Sequence, residues 1–450
     1  MEMNIKKYLI FFLIIGLSGL SRVDAQQIET LTLEKAIQSA LENNKIIDIK
    51  GLQVMESEAR IKEASIKKYP VVSLNSAYQY NVNTGVLTIP AGTMGALPIG
   101  GSNIVLPRSD LDFELGKHNT YNAGVSAYQP ITQLGKINTG IKISETDKAI
   151  ASLEHTKTKL QVTNAVEQLY YGILATRKRM EEYQKNIEVA KLKLYDVQSA
   201  LLAGKTVEAN EAGLHAEIAN EGQELLKLKF QDEDYIAELK KLTGITGNEF
   251  TLAAIDTAVS LVPTLDEYQV NANNNNTDIS LTALQKEKSG LAIKAAKQSY
   301  LPDFGVLAGY TYQQGNTIMA NSLPYAGVSL KWNLQDVWSN KQVIAQRKLQ
   351  QKQAEQNNLY TKQQTTVSVE KTYRKMKQAE ELIAVAQKAV YYRKAELKIE
   401  KDKKEAGLGK PVNVLEIEAE LAKSEADLYG AMMSYKASYA ELQLLTSKRN

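Results

Sequence analysis

Long stretches of the chain repeat apolar residues at alternating steps of three and four. One run covers residues 166–201, a second keeps the same register over 369–397, and a third covers 417–445. This spacing, sustained for several heptads, is typical of coiled-coil helices. A helix over 140–202 would be ~95 Å long at a rise of 1.5 Å per residue. The pattern therefore predicts helical pairs that are much longer than those of a globular domain.

Four shorter segments change to a period of two, and one side of each is apolar. They span about 71–81, 121–129, 304–314 and 325–334. Such alternation predicts two-faced strands, and their lengths suit tilted strands that cross a membrane. Aromatic residues near the strand ends favour a girdle at the membrane interface. These girdle candidates are Tyr80, Tyr121, Tyr128, Phe304, Tyr312, Tyr325 and Trp332.

The alternative for these four segments is a pair of soluble hairpins that pack against helices. If they lie in a membrane, four strands cannot close a barrel, since single-chain barrels begin at about 8 strands. An open edge in lipid would leave backbone groups without partners. The membrane interpretation therefore predicts that the chain pools its strands with copies of itself.

The chain is internally duplicated, and the copies share residues at fixed spacings. The matched pairs are Pro70 and Pro302, Tyr78 and Tyr310, Ala123 and Ala326, and Gly204 and Gly409. We predict a first repeat over 26–262, with a helical hairpin tip near Gly204. A second repeat over 263–450 has its tip near Gly409. The segment 262–278, which contains four consecutive asparagines, is interpreted as a polar linker between the two repeats.

The first copy carries extra residues after its first strand. The spacing of matched pairs falls from 232, for Tyr78 and Tyr310, to 203, for Ala123 and Ala326. The segment 82–119 is rich in Gly, Pro and apolar residues. We predict a long loop there, which forms a flap or cap on the outer mouth of a barrel.

The N-terminus has the three parts of a signal peptide. Lys6 and Lys7 precede an apolar run of about 10 residues, and Ala25 offers a cleavage site. We therefore expect residues 1–25 to direct export. The absence of cysteine excludes disulfides and thiolate metal sites, and the net charge of +3 does not favour a nucleic-acid partner.

No set of residues carries catalytic chemistry. The segment Ala203-Gly204-Lys205-Thr206 ends like a phosphate-binding loop, but position 199 is serine where that motif requires glycine. The three histidines are scattered, without the spacing of metal ligands on one helix. We predict no enzyme activity, no cofactor and no metal site.

Two segments carry a resemblance to a known family. Residues 31–44, LTLEKAIQSALENN, resemble the opening of TolC-type outer membrane efflux proteins, and 406–418, AGLGKPVNVLEIE, resemble the tip between their helices. The resemblance implies a mainly α fold with duplicated helical hairpins and four strands per protomer. It implies that a homotrimer closes a transmembrane barrel of about 12 strands in lipid of the outer membrane, with a helical tunnel in the periplasm. It further implies a passive exit duct that docks onto a periplasmic adaptor and an RND, MFS or ABC pump.

The resemblance also implies site residues. The hairpin tips, where an adaptor would dock, correspond to Gly204, Lys205, Gly407, Gly409 and Lys410. The acidic gate of the family falls on Asn413 and Glu416, with Glu208 and Glu211 as the first-copy equivalents. The family's Tyr–Arg latch is not matched, because Lys404 and Gly409 stand at those positions.

Two other functions remain as alternatives. A periplasmic adaptor with a coiled-coil hairpin would need one hairpin between compact β-rich domains. A coiled-coil scaffold or filament without a membrane barrel would be released from membranes by high salt, whereas a duct would require detergent. The predicted function is therefore an outer-membrane channel-tunnel of a tripartite efflux pump or a type I secretion system.

Overall fold

A computed structural model describes residues 29–204, 208–245, 250–254, 263–317 and 319–446. The signal-peptide prediction and the tip residue Lys205 lie outside these residues. The helices are α1 (Leu33–Asn43), α2 (Lys45–Ile66), α3 (Leu134–Leu202), α4 (Glu208–Thr243), α5 (Leu265–Asn275), α6 (Thr277–Gln298), α7 (Gln335–Glu405) and α8 (Pro411–Thr446). The strands are β1 (Glu29–Leu31), β2 (Val71–Tyr80), β3 (Val86–Ile89), β4 (Ala96–Ile99), β5 (Ser102–Val105), β6 (Leu111–Glu114), β7 (Gly116–Pro130), β8 (Phe250–Leu252), β9 (Asp303–Asn316) and β10 (Ser322–Lys331).

The helix lengths confirm the internal duplication. Helices α1, α2 and α4 have 11, 22 and 36 residues, and their counterparts α5, α6 and α8 have the same lengths. The long helices α3 and α7 have 69 and 71 residues. The duplicated helical hairpins of the predicted fold are therefore present. The repeat boundary at 262/263 stays a prediction.

The asparagine-rich segment is helical, so its interpretation as a linker was wrong. Helix α5 continues to Asn275, and Asn276 then caps α6 through its side-chain oxygen, which accepts bonds from the amides of Asp278 and Ile279. Asn44, 232 positions earlier, accepts a bond from the amide of Ile46 in the same way. Asparagine is a favoured N-cap because its side chain satisfies amides that the first turn leaves free.

Four strands form one antiparallel sheet in the order β10-β9-β7-β2. Its register aligns the apolar sides that the sequence pattern predicted for each strand separately. Leu74 pairs with Val125, Val125 with Tyr310, and Tyr310 with Pro324. Directly opposed residues share a face, so all four apolar sides lie on one face of the sheet. The other face carries mainly small and polar residues.

The segment that follows β2 is a β-arm rather than a loop. Strand β3 pairs with β6, and β4 pairs with β5, which form two small antiparallel ladders. Strand β7 then begins at Gly116, five residues before its predicted start. The predicted long loop over 82–119 therefore contains regular strands, in which local pairing satisfies the backbone groups. Its role as a flap or cap stays a prediction.

The chain divides into two compact units. The first comprises the described residues within Met1–Asp48, Thr158–Ala272 and Val367–Ser447. The second comprises those within Ile49–Lys157 and Asn273–Thr366 and includes the four-stranded sheet. Each unit draws segments from both halves of the sequence, so the duplication does not separate into two folding units.

The first unit is built around a long helix that anchors a small parallel strand pair. Strand β1 pairs with β8. The Tyr170 hydroxyl, on α3, lies 2.9 Å from the carbonyl oxygen of Leu31 and 2.8 Å from that of Ala253, which follows β8. The Tyr170 ring is fully buried, and burial raises the pKa of its hydroxyl to about 12. The hydroxyl is therefore a neutral donor at any physiological pH.

Ion pairs order the helices of the first unit. Helix α8 contacts α3 through Glu416 and Lys193, and it contacts α7 through Glu420 and Arg393. Helix α4 lies against α3, where Tyr235 covers Gly172. These contacts give the lateral order α4-α3-α8-α7. Within the part of the chain that the structure describes, no helix is both long enough and apolar enough to cross a membrane.

The second unit has a similar lateral arrangement of helices beside its sheet. Helix α2 contacts α3 through an ion pair of Glu58 with Lys148. Helix α3 contacts α6 through a hydrogen bond from Thr139 to Gln298. Asn358 of α7 donates to Thr282 of α6 at 2.8 Å, which completes the order α2-α3-α6-α7.

Candidate functional site

Two regions carry the functional predictions: the apolar face of the sheet in the second unit and the hairpin tips in the first. The sheet has exposed apolar side chains in every strand, among them Leu74, Val125, Val306 and Val328. A large exposed apolar surface on a folded chain marks contact with lipid or another protein. Its regular strand spacing and single-sided character are those of a membrane-facing sheet.

Five of the seven girdle candidates lie on the apolar face of the sheet. The strand register places four of them there, and Trp332 follows Leu330 at the end of β10 with the same alternation. These five are Tyr80, Tyr121, Phe304, Tyr312 and Trp332. Their girdle role remains a prediction.

Tyr128 and Tyr325 lie on the opposite face, so their assignment to a girdle on the apolar face was wrong. Tyr128 is paired with Val71 and Leu307, and Tyr325 with Gly309. The strand register, which the sequence does not reveal, places both tyrosines on the face that carries mainly small and polar residues. Each of these rings covers a glycine.

The packing at these two glycines, Gly305 and Gly309, leaves no room for a side chain, which the sequence pattern did not indicate. A Cβ on Gly305 would lie 2.6 Å from the ring of Tyr128. A Cβ on Gly309 would lie 2.5 Å from the hydroxyl of Tyr325 and 2.8 Å from the carbonyl oxygen of Val125. Only the absence of a side chain permits these contacts. A glycine that lies opposite a tyrosine of the neighbouring strand would signal this packing, but the pair can be recognised in the sequence only when the strand register is known.

Each long helix that leads to a hairpin tip is followed by a glycine with positive φ. Gly204 has φ +67° and Gly407 has φ +76°, the left-handed conformation that ends many helices. Gly409 approaches the backbone of Lys404, where a Cβ would lie 2.9 Å from the amide nitrogen. Lys410 follows as an exposed residue before α8. In both copies a glycine in the left-handed conformation thus follows the long helix, while the docking role of the tips remains a prediction.

The structural equivalence of the tips differs from the sequence match. The turn glycines Gly204 and Gly407 are 203 apart, and so are the first residues of the following helices, Glu208 and Pro411. The match of Gly204 with Gly409, at a spacing of 205, was therefore displaced by two residues. Glu208 and Glu211 are consequently not the equivalents of Asn413 and Glu416, because each lies two positions earlier in its helix.

The four gate candidates have different surroundings. Glu208 and Asn413 are exposed in the first turns of α4 and α8. Glu211 accepts a hydrogen bond of 2.9 Å from Gln198. Glu416 forms an ion pair of 2.6 Å with Lys193, and both side chains are about two-fifths exposed. The charge of Glu416 is thus balanced within one protomer.

Lys193 was not predicted as a gate residue. It lies on α3, more than two hundred positions from Glu416, and no periodicity links the two. Half-exposed pairs of this kind contribute about 0–1 kcal/mol to stability. Their main effect is on the local electrostatic potential.

Other carboxylates of the first unit surround a cavity of about 360 Å³ between α3, α7 and α8. Glu181, Glu188, Glu418 and Glu425 line it together with Lys185. Glu188 pairs with Lys185, and Glu418 pairs with Lys401. These pairs indicate a solvated polar groove. Among the described residues, no cluster of His, Asp or Glu has the arrangement of a metal site.

Comparison with known proteins identifies the family of the chain. The family model described as outer membrane efflux protein matches residues 36–245 and 270–447, most of the chain. Comparison with curated protein sequences finds no match.

Solved structures show the same fold at low sequence identity. A crystal structure of CusC, described in terms of folding and transmembrane channel formation, has a TM-score of 0.71 at 13% identity, covering 93% of this chain and 92% of its own. The Campylobacter jejuni CmeC outer membrane channel has a TM-score of 0.70 at 15% identity, covering 92% and 85%. The open state of the Neisseria gonorrhoeae MtrE outer membrane channel has a TM-score of 0.70 at 14% identity, covering 92% and 89%.

The family consists of efflux channels rather than enzymes, and it places the protein in the outer membrane. An adaptor or a scaffold without membrane strands is not favoured, because the matched region includes both hairpins and all four strands of the sheet. The chain belongs to the outer membrane efflux protein family and acts as an outer-membrane efflux channel.

Proposed function

We propose that three copies of the chain close one barrel and one tunnel, and that this assembly is the passive exit duct of a tripartite pump. The observation that carries the proposal is the sheet with one apolar face and two edge strands, β2 and β10. Within the described residues neither edge has a further partner strand. In lipid such edges must be paired.

The outer helices supply a second argument for assembly. In the first unit, α4 exposes Leu226 and Phe230, and α7 exposes Leu382 and Val385. These two helices are the lateral ends of the order α4-α3-α8-α7. A ring in which α4 of one copy contacts α7 of the next would cover both apolar surfaces. Such a heterologous contact forms a closed ring when the rotation that relates neighbouring copies divides a full turn evenly.

In this assembly the tips near Gly204 and Gly407 dock a periplasmic adaptor, which connects the duct to an inner-membrane pump of the RND, MFS or ABC type. Short glycine turns at the ends of long helices suit insertion between the helices of a partner hairpin. The channel supplies a path and no energy, so the pump determines the cargo.

The acidic residues at the tips act as an electrostatic gate. Three copies of Glu208 would concentrate negative charge near the axis, because this carboxylate is exposed and forms no ion pair with any residue that the structure describes. Glu416 contributes less in the resting protomer, since Lys193 balances its charge. Rings of carboxylates attract cations and determine the selectivity of a pore.

Planar-bilayer recordings test the duct and its gate together. We expect the purified protein to give discrete conductance steps that polyvalent cations block from the tip side. Replacement Glu208→Ala should weaken the block several-fold, whereas Lys193→Ala should strengthen it by exposing the charge of Glu416. The replacement Glu416→Ala should have a smaller effect than Glu208→Ala.

The matched control is Glu224→Ala, which removes a half-exposed carboxylate of the same helix that pairs with Lys227. It should leave the block unchanged. Unaltered block in both Glu208→Ala and Glu416→Ala would remove the acidic gate but not the duct. Purified protein that gives no conductance steps would contradict the duct itself.

A further inference from the structure

Among the described residues that its strands pair, the four-stranded sheet has a single acidic and a single basic residue, Asp303 and Lys331. They are the first residue of β9 and the last residue of β10, and they are paired with each other. Directly opposed residues share a face and have Cβ atoms about 5 Å apart. Helix α6 precedes β9 and α7 follows β10. The two charges therefore lie side by side at the end of the sheet that adjoins the helices.

Both charges lie on the face of small and polar residues. Successive residues of a strand alternate between faces, and the neighbours Phe304 and Leu330 belong to the apolar face. In the barrel proposed above the apolar face contacts lipid, so the opposite face lines the lumen. The inference rests on that closure by three copies and not on the acidic gate or the pump. Since the other paired residues of the lumen face are uncharged, Asp303 and Lys331 are its main electrostatic feature.

A third charge, that of Lys136, lies close to this pair. Lys136 is in the first turn of α3 and lines the same cavity of about 290 Å³ as Asp303 and Lys331. One turn later, the hydroxyl of Thr139 donates to Gln298 at 2.7 Å and attaches this part of α3 to α6. None of the three charged residues forms an ion pair with any residue that the structure describes. Each copy thus brings two positive charges and one negative charge to this level.

The backbone at Asp303 is held in place from both sides. The hydroxyl of Thr132 donates to the carbonyl oxygen of Pro302 at 2.7 Å and accepts a bond from the amide of Phe304 at 2.9 Å. Thr132 lies in the connection between β7 and α3, so the strand and the helix are joined at this point. Because Lys331 is the cross-strand partner of Asp303, both charges belong to a fixed wall rather than to a free loop.

The dimensions of the barrel determine whether charges at its wall can act on ions in the lumen. About 12 strands, spaced about 4.8 Å apart and tilted by about 40°, enclose a backbone radius of about 12 Å. The Debye length is about 10 Å at 0.1 M salt and about 3 Å at 1 M salt. The field of a ring of charges at the wall therefore reaches most of the lumen at 0.1 M salt, whereas at 1 M it is confined to the wall.

We propose that Lys136, Lys331 and Asp303 of three copies form a ring that favours anions at the helical end of the barrel. The two lysines of each copy attract anionic solutes, such as carboxylates and phosphates, and Asp303 reduces the positive potential. Rings of charged side chains determine the selectivity of a pore in this way. The proposal assigns a charge preference to the barrel itself, separate from that of the acidic residues at the tips.

The ion selectivity of single channels in planar bilayers tests this ring. The reversal potential in a gradient of KCl near 0.1 M gives the permeability ratio of chloride to potassium. We expect Asp303→Asn to raise this ratio, and Lys136→Gln and Lys331→Gln each to lower it, by roughly two- to five-fold. The double replacement Lys136→Gln/Lys331→Gln should lower the ratio further, because only the carboxylate remains. All four differences should disappear near 1 M salt, where the charges are screened.

Lys331→Arg keeps the charge and should retain the wild-type ratio, which separates the effect of charge from that of altered packing. The matched control is Lys348→Gln, which removes an exposed lysine of α7 outside the cavity and should not change the ratio. Wild-type ratios in both Asp303→Asn and the double lysine variant, in channels that conduct normally, would overturn the ring and leave the duct intact. Shifts of the same sign in Asp303→Asn and Lys331→Gln would also overturn it. Wild-type protein without conductance steps would contradict the duct and, with it, the ring.

Discussion

Replacing Gly309 by alanine should disrupt the sheet and prevent assembly of the protein in the outer membrane. The new Cβ would lie 2.5 Å from the hydroxyl of Tyr325 and 2.8 Å from the carbonyl oxygen of Val125. The tyrosine can move, but the carbonyl belongs to the ladder between β7 and β9 and cannot move without breaking pairing. Overpacking of this kind costs about 1–3 kcal/mol per site. A closed ring of three copies would contain the defect three times.

The measurement is the fraction of heat-resistant oligomer in outer-membrane extracts, run on a gel without boiling. Gly327→Ala is the matched control, since it makes the same substitution on the neighbouring strand, where the new Cβ would meet only Leu307, at 3.9 Å. We expect near wild-type oligomer for Gly327→Ala and a large loss for Gly309→Ala. Equal behaviour of the two variants would show that the close approach at Gly309 does not limit assembly.

Replacing Tyr170 by alanine should detach the strand pair β1–β8 from helix α3. The ring is fully buried, and its hydroxyl contacts the carbonyl oxygens of Leu31 and Ala253. Removing a buried aromatic ring costs about 3–5 kcal/mol. Tyr170→Phe keeps the ring and loses only the hydrogen bonds, so it should cost about 1–2 kcal/mol.

Hydrogen exchange of peptides that cover Leu31 and Leu252 measures this effect. We expect exchange in the strand pair to increase strongly in Tyr170→Ala and moderately in Tyr170→Phe. Tyr195→Ala is the control, because Tyr195 lies on the same helix with 68% of its surface exposed. If Tyr170→Ala exchanges no faster than Tyr195→Ala, the strand pair is held by contacts other than those of Tyr170.

The sequence was sufficient for the periodic features of the fold. Strand faces follow from a period of two, and long helices from alternating steps of three and four, so that both could be predicted from local pattern. The four segments with a period of two correspond to the four strands of the main sheet, and the duplication led to the two helical hairpins. Each of these features repeats along the chain and needs no knowledge of tertiary contacts.

The failures concern relations between distant segments. The assignment of Tyr128 and Tyr325 required the strand register, which no single strand determines. The displaced tip equivalence arose because Gly204 was matched by residue identity with Gly409, whereas the turn conformation belongs to Gly407. The ion pair of Glu416 with Lys193 joins helices from different repeats, so no local pattern predicts it.

The β-arm after β2 shows a different limit. A composition rich in glycine and proline predicts irregular structure, but glycines with positive φ at Gly92, Gly95, Gly100 and Gly101 allow tight turns between short strands. Composition alone does not distinguish a loop from a sequence of short ladders.

Closure of the barrel by three copies requires that β2 of one copy pairs with β10 of the next. Ser76 lies near the middle of β2 and Ala326 near the middle of β10, on the same face of the sheet. Because the chain contains no cysteine, the double replacement Ser76→Cys/Ala326→Cys provides two unique sites for bismaleimides of increasing length.

The decisive measurement is the cross-linked ladder formed by this double variant in isolated outer membranes. We expect dimers and trimers and no larger product, while each single variant stays monomeric because the contact is heterologous. A ladder that continues beyond three chains, or a double variant that remains monomeric with every linker while present in the outer membrane, would contradict closure by three copies.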